Sequence, residues 1–276
     1  MNVDRPIIRY HGGKWRLAPW IISHFPAHRV YVEPFGGGGS VLLRKPRSYA
    51  EVYNDLDSDI VNLFRVARDD GERLALACEL TPFARAEFEE SYLPVDDPLE
   101  RARRAIFRSF SGFGSAAATG QSSGFRANSN RSGTTPAHDW MNYPDCLRQV
   151  IQRLRGVVIE NRDAVECMQR HDTPATLHYV DPPYVHSTRS FRSRSHNYRH
   201  EMTDQQHETL ASALRGLSGM VVVSGYRCEL YDGWYAGWQR IDRAAHADGA
   251  RPRVESLWLS PNIRQVGLFQ QEVATA

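Results

Sequence analysis

The stretch that decides the fold is TLHYVDPPY, residues 176–184. Its first five residues predict a short buried strand, and the two prolines must end that strand because proline lacks an N–H and fixes φ. Asp181 and Tyr184 therefore fall on a stiff turn at the carboxyl end of a strand, the edge where open α/β sheets bind ligands. On these residues alone, a plain turn in which Asp181 caps and Tyr184 packs is an equally good interpretation.

A strand, a glycine loop and a helix are predicted by VYVEPFGGGGSVLL, residues 30–43. The four glycines at positions 36–39 let the backbone approach a ligand closely. We expect them to leave N–H groups free at a helix start, where a phosphate or a carboxylate can dock. The dinucleotide fingerprint GxGxxG is missing because Val41 occupies its third glycine position, which argues against NAD or FAD.

Three more polar side chains follow predicted strands or turns. Asp55 ends the strand EVYND, where an acidic residue can accept hydrogen bonds from ribose hydroxyls, although a helix N-cap is a competing role. Asp163 ends a third strand, VVIENRD. Lys14 follows a Gly-Gly turn and precedes a helix expected over residues 15–24, a position unfavourable for a cation. A ligand carboxylate would offset that cost, and a solvated loop lysine explains the position equally well.

The remaining pattern predicts alternating helices and strands. Helices are expected over residues 72–90, 99–110, 143–155 and 164–169, and one more, capped by Thr203, to about residue 214. A buried strand is expected over residues 219–225, with closing strands over 234–241 and 255–260.

Composition excludes several classes of protein. The 276 residues are 41% hydrophobic and 24% charged, which is typical of a globular chain. No apolar run approaches the ~20 residues that cross a bilayer, and no apolar N-terminal segment predicts secretion. The four cysteines lie far apart and the eleven histidines form no metal-binding pattern, which favours a reducing compartment and no metal. We therefore expect a cytoplasmic protein with no membrane partner.

The net charge of +2 is unevenly distributed. Residues 101–155 carry nine arginines against two acidic residues, and a Gly/Ser-rich loop over residues 109–136 contains Arg126 and Arg131. A second basic stretch follows the Asp-Pro-Pro-Tyr turn and contains Arg189, Arg192, Arg194 and Arg199. Such stretches indicate a surface that faces a polyanion, or else an ordinary solvated face.

Four motifs in this order resemble those of the Dam-type, D12-class DNA adenine-N6 methyltransferases, in particular shorter phage-encoded members. They are YHGGK at residues 10–14, EPFGGGGS at 33–40, Asn54-Asp55, and DPPY at 181–184. The resemblance covers nearly the whole chain. It implies a doubly wound, Rossmann-like α/β sheet that uses S-adenosylmethionine, with residues 1–62 and 155–276 forming the catalytic domain. A mainly helical target-recognition region would be inserted at residues 63–154.

The resemblance also implies site residues. Tyr10, Lys14, Asp55 and Asp181 would contact the donor, with Tyr10 in place of the tryptophan common in the family. The loop after the first strand would pass beside the methionine part of the donor and contributes Glu33, Pro34, Phe35, Gly36 and Gly38. Asp163 would approach the donor's adenine ring, through a looser motif.

These residues suit methyl transfer to an exocyclic amine. The Asp181 carboxylate and the Pro182 carbonyl would each accept one N6 hydrogen of an adenine flipped out of double-stranded DNA, while Tyr184 stacks on the base. Arg126 and Arg131 are expected to contact DNA bases. Arg189, Arg192, Arg194 and Arg199 are expected to contact its phosphates.

Other functions remain open at this point. A cytosine-N4 methyltransferase is the nearest alternative, although such enzymes more often carry serine where Asp181 stands. A non-catalytic nucleic-acid-binding protein on a methyltransferase scaffold and a dinucleotide oxidoreductase are further alternatives. The DNA sequence recognised, any association with a restriction enzyme or with protection of phage DNA, and the oligomeric state, monomer or weak dimer, are also open.

Overall fold

One mixed β-sheet organises the chain. The computed structural model describes residues 3–113, 123–128, 133–185, 199–246 and 252–263. Within these ranges the strands are β1 (Val30–Glu33), β2 (Ala50–Asn54), β3 (Val157–Glu160), β4 (Thr176–Val180), β5 (Met220–Tyr226), β6 (Gln239–His246) and β7 (Pro252–Leu259). Their order across the sheet is β3-β2-β1-β4-β5-β7-β6. The first five are parallel, and β7 lies antiparallel to both β5 and β6.

Eleven helices pack around the sheet in the described ranges. They are α1 (Ala18–Ile22), α2 (Ser40–Arg44), α3 (Ser58–Asp69), α4 (Gly71–Leu80), α5 (Arg85–Glu90), α6 (Pro98–Ser111), α7 (Pro136–Met141), α8 (Tyr143–Leu154), α9 (Ala164–Arg170), α10 (Asp204–Arg215) and α11 (Glu229–Trp234). Among these described helices, none is both long and apolar enough to cross a membrane.

The two faces of the sheet have separate hydrophobic cores because neighbouring strand residues point to opposite sides. Tyr31 of β1 packs on the face that also holds α3, α4, α6 and α8. Val32, the next residue, packs on the face covered by α9 and α10. This three-layer arrangement confirms the predicted doubly wound α/β sheet.

Several local expectations differ from the structure. The helix predicted over residues 72–90 is two helices, α4 and α5, because Pro82 lies between them. The strand predicted from Trp234 begins only at Gln239, since Trp234 ends α11. The helix predicted over residues 15–24 is shorter and spans Ala18–Ile22. The predicted capping box at Thr203 is confirmed, with Gln206 as its reciprocal partner.

The region from residue 63 to 154 packs directly on the sheet. Its side chains Phe107 and Tyr143 belong to the same buried cluster as Tyr31 and Tyr53 of the sheet. Residue 62, where the first catalytic segment is predicted to end, lies inside α3. The assignment of this region to target recognition stays a prediction.

A buried ionic cluster ties α8 to the sheet. Arg153 of α8 places Nη1 2.6 Å from Glu51 Oε2 and Nη2 2.9 Å from Glu51 Oε1. Arg153 Nη2 also donates to the Leu42 carbonyl at 2.7 Å, and Lys45 Nζ lies 2.7 Å from Glu51 Oε1. Burial by itself would raise the pKa of Glu51, but the hydrogen bonds from Arg153 and Lys45 lower it overall.

We predict that Arg153→Met lowers the free energy of unfolding by about 3 kcal/mol, because it leaves a buried carboxylate with only partial compensation from Lys45. Urea unfolding at pH 7 measures the loss. Arg148→Met on the same helix is the matched control, since the side chain of Arg148 is 37% exposed and its ion pairs are worth at most ~1 kcal/mol. Equal losses in the two variants would contradict a structural role for the buried cluster.

Candidate active site

A cleft of about 310 Å³ opens at the carboxyl ends of β1, β2, β3 and β4. Strand order reverses between β1 and β4, so the loops that follow these two strands diverge and leave a crevice. The cleft is lined by segments that include residues 10–14, 33–38, 54–57, 162–165 and 199–202, together with Asp181 and Pro183. The predicted donor residues Tyr10, Lys14, Glu33, Pro34, Phe35, Gly36, Gly38, Asp55, Asp163 and Asp181 all line it.

Asp181 faces this cleft from the first position after β4. Ser224 of the neighbouring strand β5 donates its hydroxyl to Asp181 Oδ1 at 2.7 Å. The Tyr179 hydroxyl lies 3.0 Å from Ser224 Oγ, which fixes the serine in turn. Lys14 Nζ lies 2.9 Å from the other oxygen, Asp181 Oδ2. Both carboxylate oxygens therefore have partners from elements far away in the sequence.

Tyr184 is held with its ring beside Lys14. The Tyr184 hydroxyl donates to Glu255 Oε1 on β7, and the ring packs edge-on against Tyr226 with centroids 4.5 Å apart. Lys14 Nζ lies 4.6 Å from the Tyr184 ring centroid. Tyr184 is only 6% exposed, and Pro182 before it is buried, so in this conformation neither presents an open surface to the cleft.

The glycine loop is packed tightly against aromatic rings. A Cβ on Gly36 would lie 2.1 Å from the Tyr53 ring, which leaves no room for any side chain there. Gly37 has φ +47°, a conformation that favours glycine, and its carbonyl accepts the Tyr53 hydroxyl at 2.6 Å. The loop thus follows the shape of the ring beneath it.

The expectation of free N–H groups in this loop is wrong at three of its four glycines. Gly36 N donates to the Asn54 carbonyl at 2.8 Å, and Gly39 N donates to the Gly36 carbonyl at 2.7 Å. Gly37 N donates to Asp55 Oδ2 at 2.7 Å. These bonds satisfy three of the four glycine N–H groups within the protein, so those three are not available to an anion.

Asp55 connects the glycine loop to the next helix. Its Oδ1 accepts the Asp57 N–H at 2.8 Å while Oδ2 holds Gly37. The N-cap of α3 is Asp57, so the competing capping role for Asp55 is wrong. Burial raises the pKa of Asp55, partly opposed by these two N–H bonds.

Glu33 connects β1 to α2 through hydrogen bonds. Its Oε2 accepts the Tyr31 hydroxyl at 2.7 Å and the Leu42 N–H at 2.8 Å. Burial raises the pKa of Glu33 to about 8; the two hydrogen bonds oppose this, and the charge of Asp181 adds to it. Glu33 therefore carries a proton at neutral pH.

Tyr10 and Asp163 both line the cleft. The Tyr10 ring covers the glycine loop closely, since a Cβ on Gly37 would lie 2.7 Å from it. Asp163 is the N-cap of α9 and accepts the N–H groups of Val165 at 2.9 Å and Glu166 at 3.2 Å. One of its oxygens is thus engaged in capping at the rim of the cleft.

Two of the predicted DNA contacts, Arg199 and Arg126, lie in the described residues. Arg199 lines the cleft and pairs with α3, its Nη1 lying 2.9 Å from Asp57 Oδ1 and 2.6 Å from Asp59 Oδ2. Arg126 donates to the Phe110 carbonyl at 3.2 Å, near the end of α6. The other predicted DNA-contacting residues lie outside the described residues; they are Arg131, Arg189, Arg192 and Arg194.

Two site residues were missed by sequence analysis. Ser224 orients Asp181, and Glu255 accepts the Tyr184 hydroxyl. A signal existed for Glu255, because an acidic residue begins the otherwise apolar predicted strand ESLWLS and is 2% exposed in the structure. Ser224 had no comparable signal, since a small residue at a strand end is ordinary.

A doubly wound sheet with an antiparallel seventh strand and a ligand cleft at the carboxyl ends of its parallel strands defines the class of Rossmann-like methyltransferases. Within that class, this chain belongs to the D12 class N6 adenine-specific DNA methyltransferases, whose family model matches residues 10–247. It is thus an adenine-specific DNA methyltransferase, and the cytosine-N4 and non-catalytic alternatives are not favoured.

Relatives of similar length support this membership. A DNA adenine methylase of Escherichia coli (strain K12) is 25% identical over 248 residues, covering 85% of each chain. Type II methyltransferase M1.LlaDCHI of Lactococcus lactis subsp. cremoris is 26% identical over 216 residues, covering 70% of each. Type II methyltransferase M.MjaIII of Methanocaldococcus jannaschii is 23% identical over 263 residues, covering 84% of this chain and 88% of that protein.

We predict that Glu33→Gln removes part of the pH dependence of stability. Between roughly pH 5 and 8 the unfolded state ionises Glu33 while the folded state keeps it protonated, so wild-type stability falls as pH rises through this window. The variant cannot ionise at this position. Its free energy of unfolding should therefore rise relative to that of the wild type by about 1.4 kcal/mol per pH unit across this window. Urea unfolding at several pH values measures the difference, with the exposed Glu72→Gln as control. A difference that is constant with pH would contradict a protonated Glu33.

Proposed function

We propose that this protein transfers the methyl group of S-adenosylmethionine to N6 of an adenine flipped out of double-stranded DNA. We further propose that donor and base meet in the cleft beside Asp181. The observation that supports this most directly is the orientation of the Asp181 carboxylate, which faces the cleft formed by the glycine loop and the ends of the parallel strands.

The residues of the cleft fit a donor that has a ribose and an aromatic base. Asp55 and Asp163 supply carboxylate oxygens at the ends of neighbouring strands, and Phe35, Leu56 and Val165 supply apolar surface. Leu56 is 53% exposed although it is a large apolar side chain, as expected where a ring would cover it. When bound, the donor supplies a methyl group on a positively charged sulfur.

The donor would be held by the residues predicted from sequence, but those of the glycine loop would act mainly through packing. Tyr10, Lys14, Asp55, Asp163 and Asp181 line the walls that enclose the cleft. The loop residues Glu33, Pro34, Phe35, Gly36 and Gly38 shape it mainly through packing, because the N–H groups of Gly36 and Gly37 are already bonded within the protein.

Asp181 and Pro182 perform the chemistry on the base. Adenine N6 is a poor nucleophile because its lone pair is delocalised into the ring. A carboxylate oxygen of Asp181 and the carbonyl of Pro182 would each accept one N6 hydrogen and turn the lone pair towards the methyl. Ser224 and Tyr179 hold the carboxylate at the required angle, so the rate gain comes from positioning and fixed charge.

DNA would lie against residues 63–154 and the two basic stretches. Arg126 and Arg131 belong to the loop proposed to contact bases, and Arg189, Arg192 and Arg194 to the stretch proposed to contact phosphates. Arg199 would need to exchange its partners Asp57 and Asp59 for a phosphate. That exchange is feasible because its side chain is 51% exposed and such a pair is weak in water.

We predict that Asp181→Asn lowers methylation of adenine by at least about 100-fold, because the amide oxygen that replaces the carboxylate oxygen is an uncharged and weaker acceptor for the N6 hydrogen. DNA from cells that express each protein is analysed by nucleoside mass spectrometry and single-molecule sequencing, which report the base, its position and the sequence recognised. Asp145→Asn on α8 is the matched control, since its side chain is 87% exposed and remote from the cleft.

The same measurement separates the proposed reaction from its alternatives. N6-methyladenine that disappears in the Asp181→Asn variant supports the proposal. Formation of N4-methylcytosine, or undiminished methylation by Asp181→Asn, would overturn it.

We predict that Asp55→Ala raises the dissociation constant for S-adenosylmethionine at least about tenfold, as expected when a charged hydrogen-bond acceptor is removed. The substitution also removes the acceptor of the Gly37 N–H. The cleft therefore loses a contact that holds the glycine loop in place as well as a negative charge. Calorimetry measures the constant, and Asp69→Ala at the far end of α3 is the control. An unchanged constant in the Asp55 variant would place the donor elsewhere.

A further inference from the structure

Lys14 makes the contacts that the proposed reaction assigns to the target base. Its ammonium lies 2.9 Å from Asp181 Oδ2, where an N6 hydrogen would be accepted. It also lies 4.6 Å from the centroid of the Tyr184 ring, on which the base would stack. An ammonium and an adenine cannot occupy this volume together, so Lys14 must move before the base can bind.

Glu255 is positioned to receive the displaced ammonium. Its Oε1 lies 3.9 Å from Lys14 Nζ, just beyond hydrogen-bond length, and Glu255 is 2% exposed. Lys14 is itself only 5% exposed, and a buried cation needs a charged partner. Nζ must approach Glu255 Oε1 by about 1 Å to come within hydrogen-bond range, and it must also leave the face of the Tyr184 ring to make room for the base. The same carboxylate accepts the Tyr184 hydroxyl, so it is fixed in place before the shift.

We propose, on the basis of the proposed function, that Lys14 occupies the target-amine position in the free protein and moves to Glu255 when the adenine arrives. Lys14 is then a positioning residue: it neutralises and orients Asp181 while the cleft is without a base. Glu255 keeps the ammonium inside the cleft afterwards. Base binding is therefore an exchange of partners at Asp181.

Retention of the ammonium has a physical reason. The amine of adenine is neutral, so it can replace the hydrogen bond of Lys14 to Asp181 but not its charge. An Asp181 carboxylate left without a nearby cation in a buried site would be destabilised. Burial raises the pKa of the nearby Glu33 to about 8 and the charge of Asp181 adds to that rise, so a further negative charge is unfavourable here.

The test is a double-mutant cycle with Lys14→Met, Glu255→Gln and the double variant. The duplex contains the sequence found to be methylated with its target adenine intact and 2-aminopurine at the neighbouring position, where its fluorescence rises when the target adenine leaves the base stack. Glu255→Gln keeps an oxygen that can accept the Tyr184 hydroxyl and removes only the charge. Calorimetry with S-adenosylmethionine is run on every variant.

In the presence of Lys14, Glu255→Gln should lower the flipping constant on the order of tenfold, because the ammonium has no charged partner to move to. In the Lys14→Met background the same substitution should change it less than about twofold, since no ammonium has to move. Lys14→Met alone should not lower the flipping constant, because it removes the competitor for Asp181. If Lys14→Met fails to fold, as judged by circular dichroism, Lys14→Gln replaces it in the cycle.

Two results would overturn the inference. Additive effects of the two substitutions would show that Lys14 does not move to Glu255. A lower flipping constant in Lys14→Met, measured at saturating S-adenosylmethionine, would show that Lys14 does not compete with the base for Asp181. Both are distinct from a failure of the proposed function, in which the wild-type protein itself would form no N6-methyladenine and both proposals would fall.

Discussion

The pairing of β4 against β1 is the constraint on which the rest of this structure depends. The chain runs from β1 outward to β3 and then returns to the other side of β1 to continue through β4 and β5. Because both strands are parallel, their carboxyl ends lie side by side while the loops beyond them turn away from each other. The glycine loop after Glu33 and the turn after Val180 become the two walls of one cleft, although about 150 residues separate them in the sequence.

The charged groups around Asp181 contact one another. Asp181, Lys14 and Glu255 form a chain of contacts across the sheet edge, and Glu33 behind them is protonated at neutral pH. The interactions among these charges are strong because little solvent is present to screen them. A polar group that enters the site therefore changes their energy considerably. A neutral amine that enters it must exchange contacts with groups already present.

The region between β2 and β3 packs firmly on the sheet and is not a loosely attached module. Its helices α4, α6 and α8 share a core with the sheet, and Arg153 joins α8 to Glu51 of β2 through a buried pair. An element that carries DNA contacts would then be held at a defined distance from the cleft. This rigidity suits a reaction in which a flipped base must reach a fixed carboxylate.

The sequence by itself determined the elements and the positions of the motif residues. Two prolines after β4 place Asp181 at a strand end, four glycines after β1 predict a close approach, and strand-end positions predict Asp55 and Asp163 at the cleft. Only the tertiary structure decided which groups face them. Ser224 and Glu255 come from strands that pair after the chain has crossed over, and the N–H groups of Gly36 and Gly37 are consumed by β2 and by Asp55. Local sequence sets backbone conformation over a few residues, whereas these contacts depend on the register of distant strands, and so the partner of Lys14 could not be predicted until the sheet was assembled.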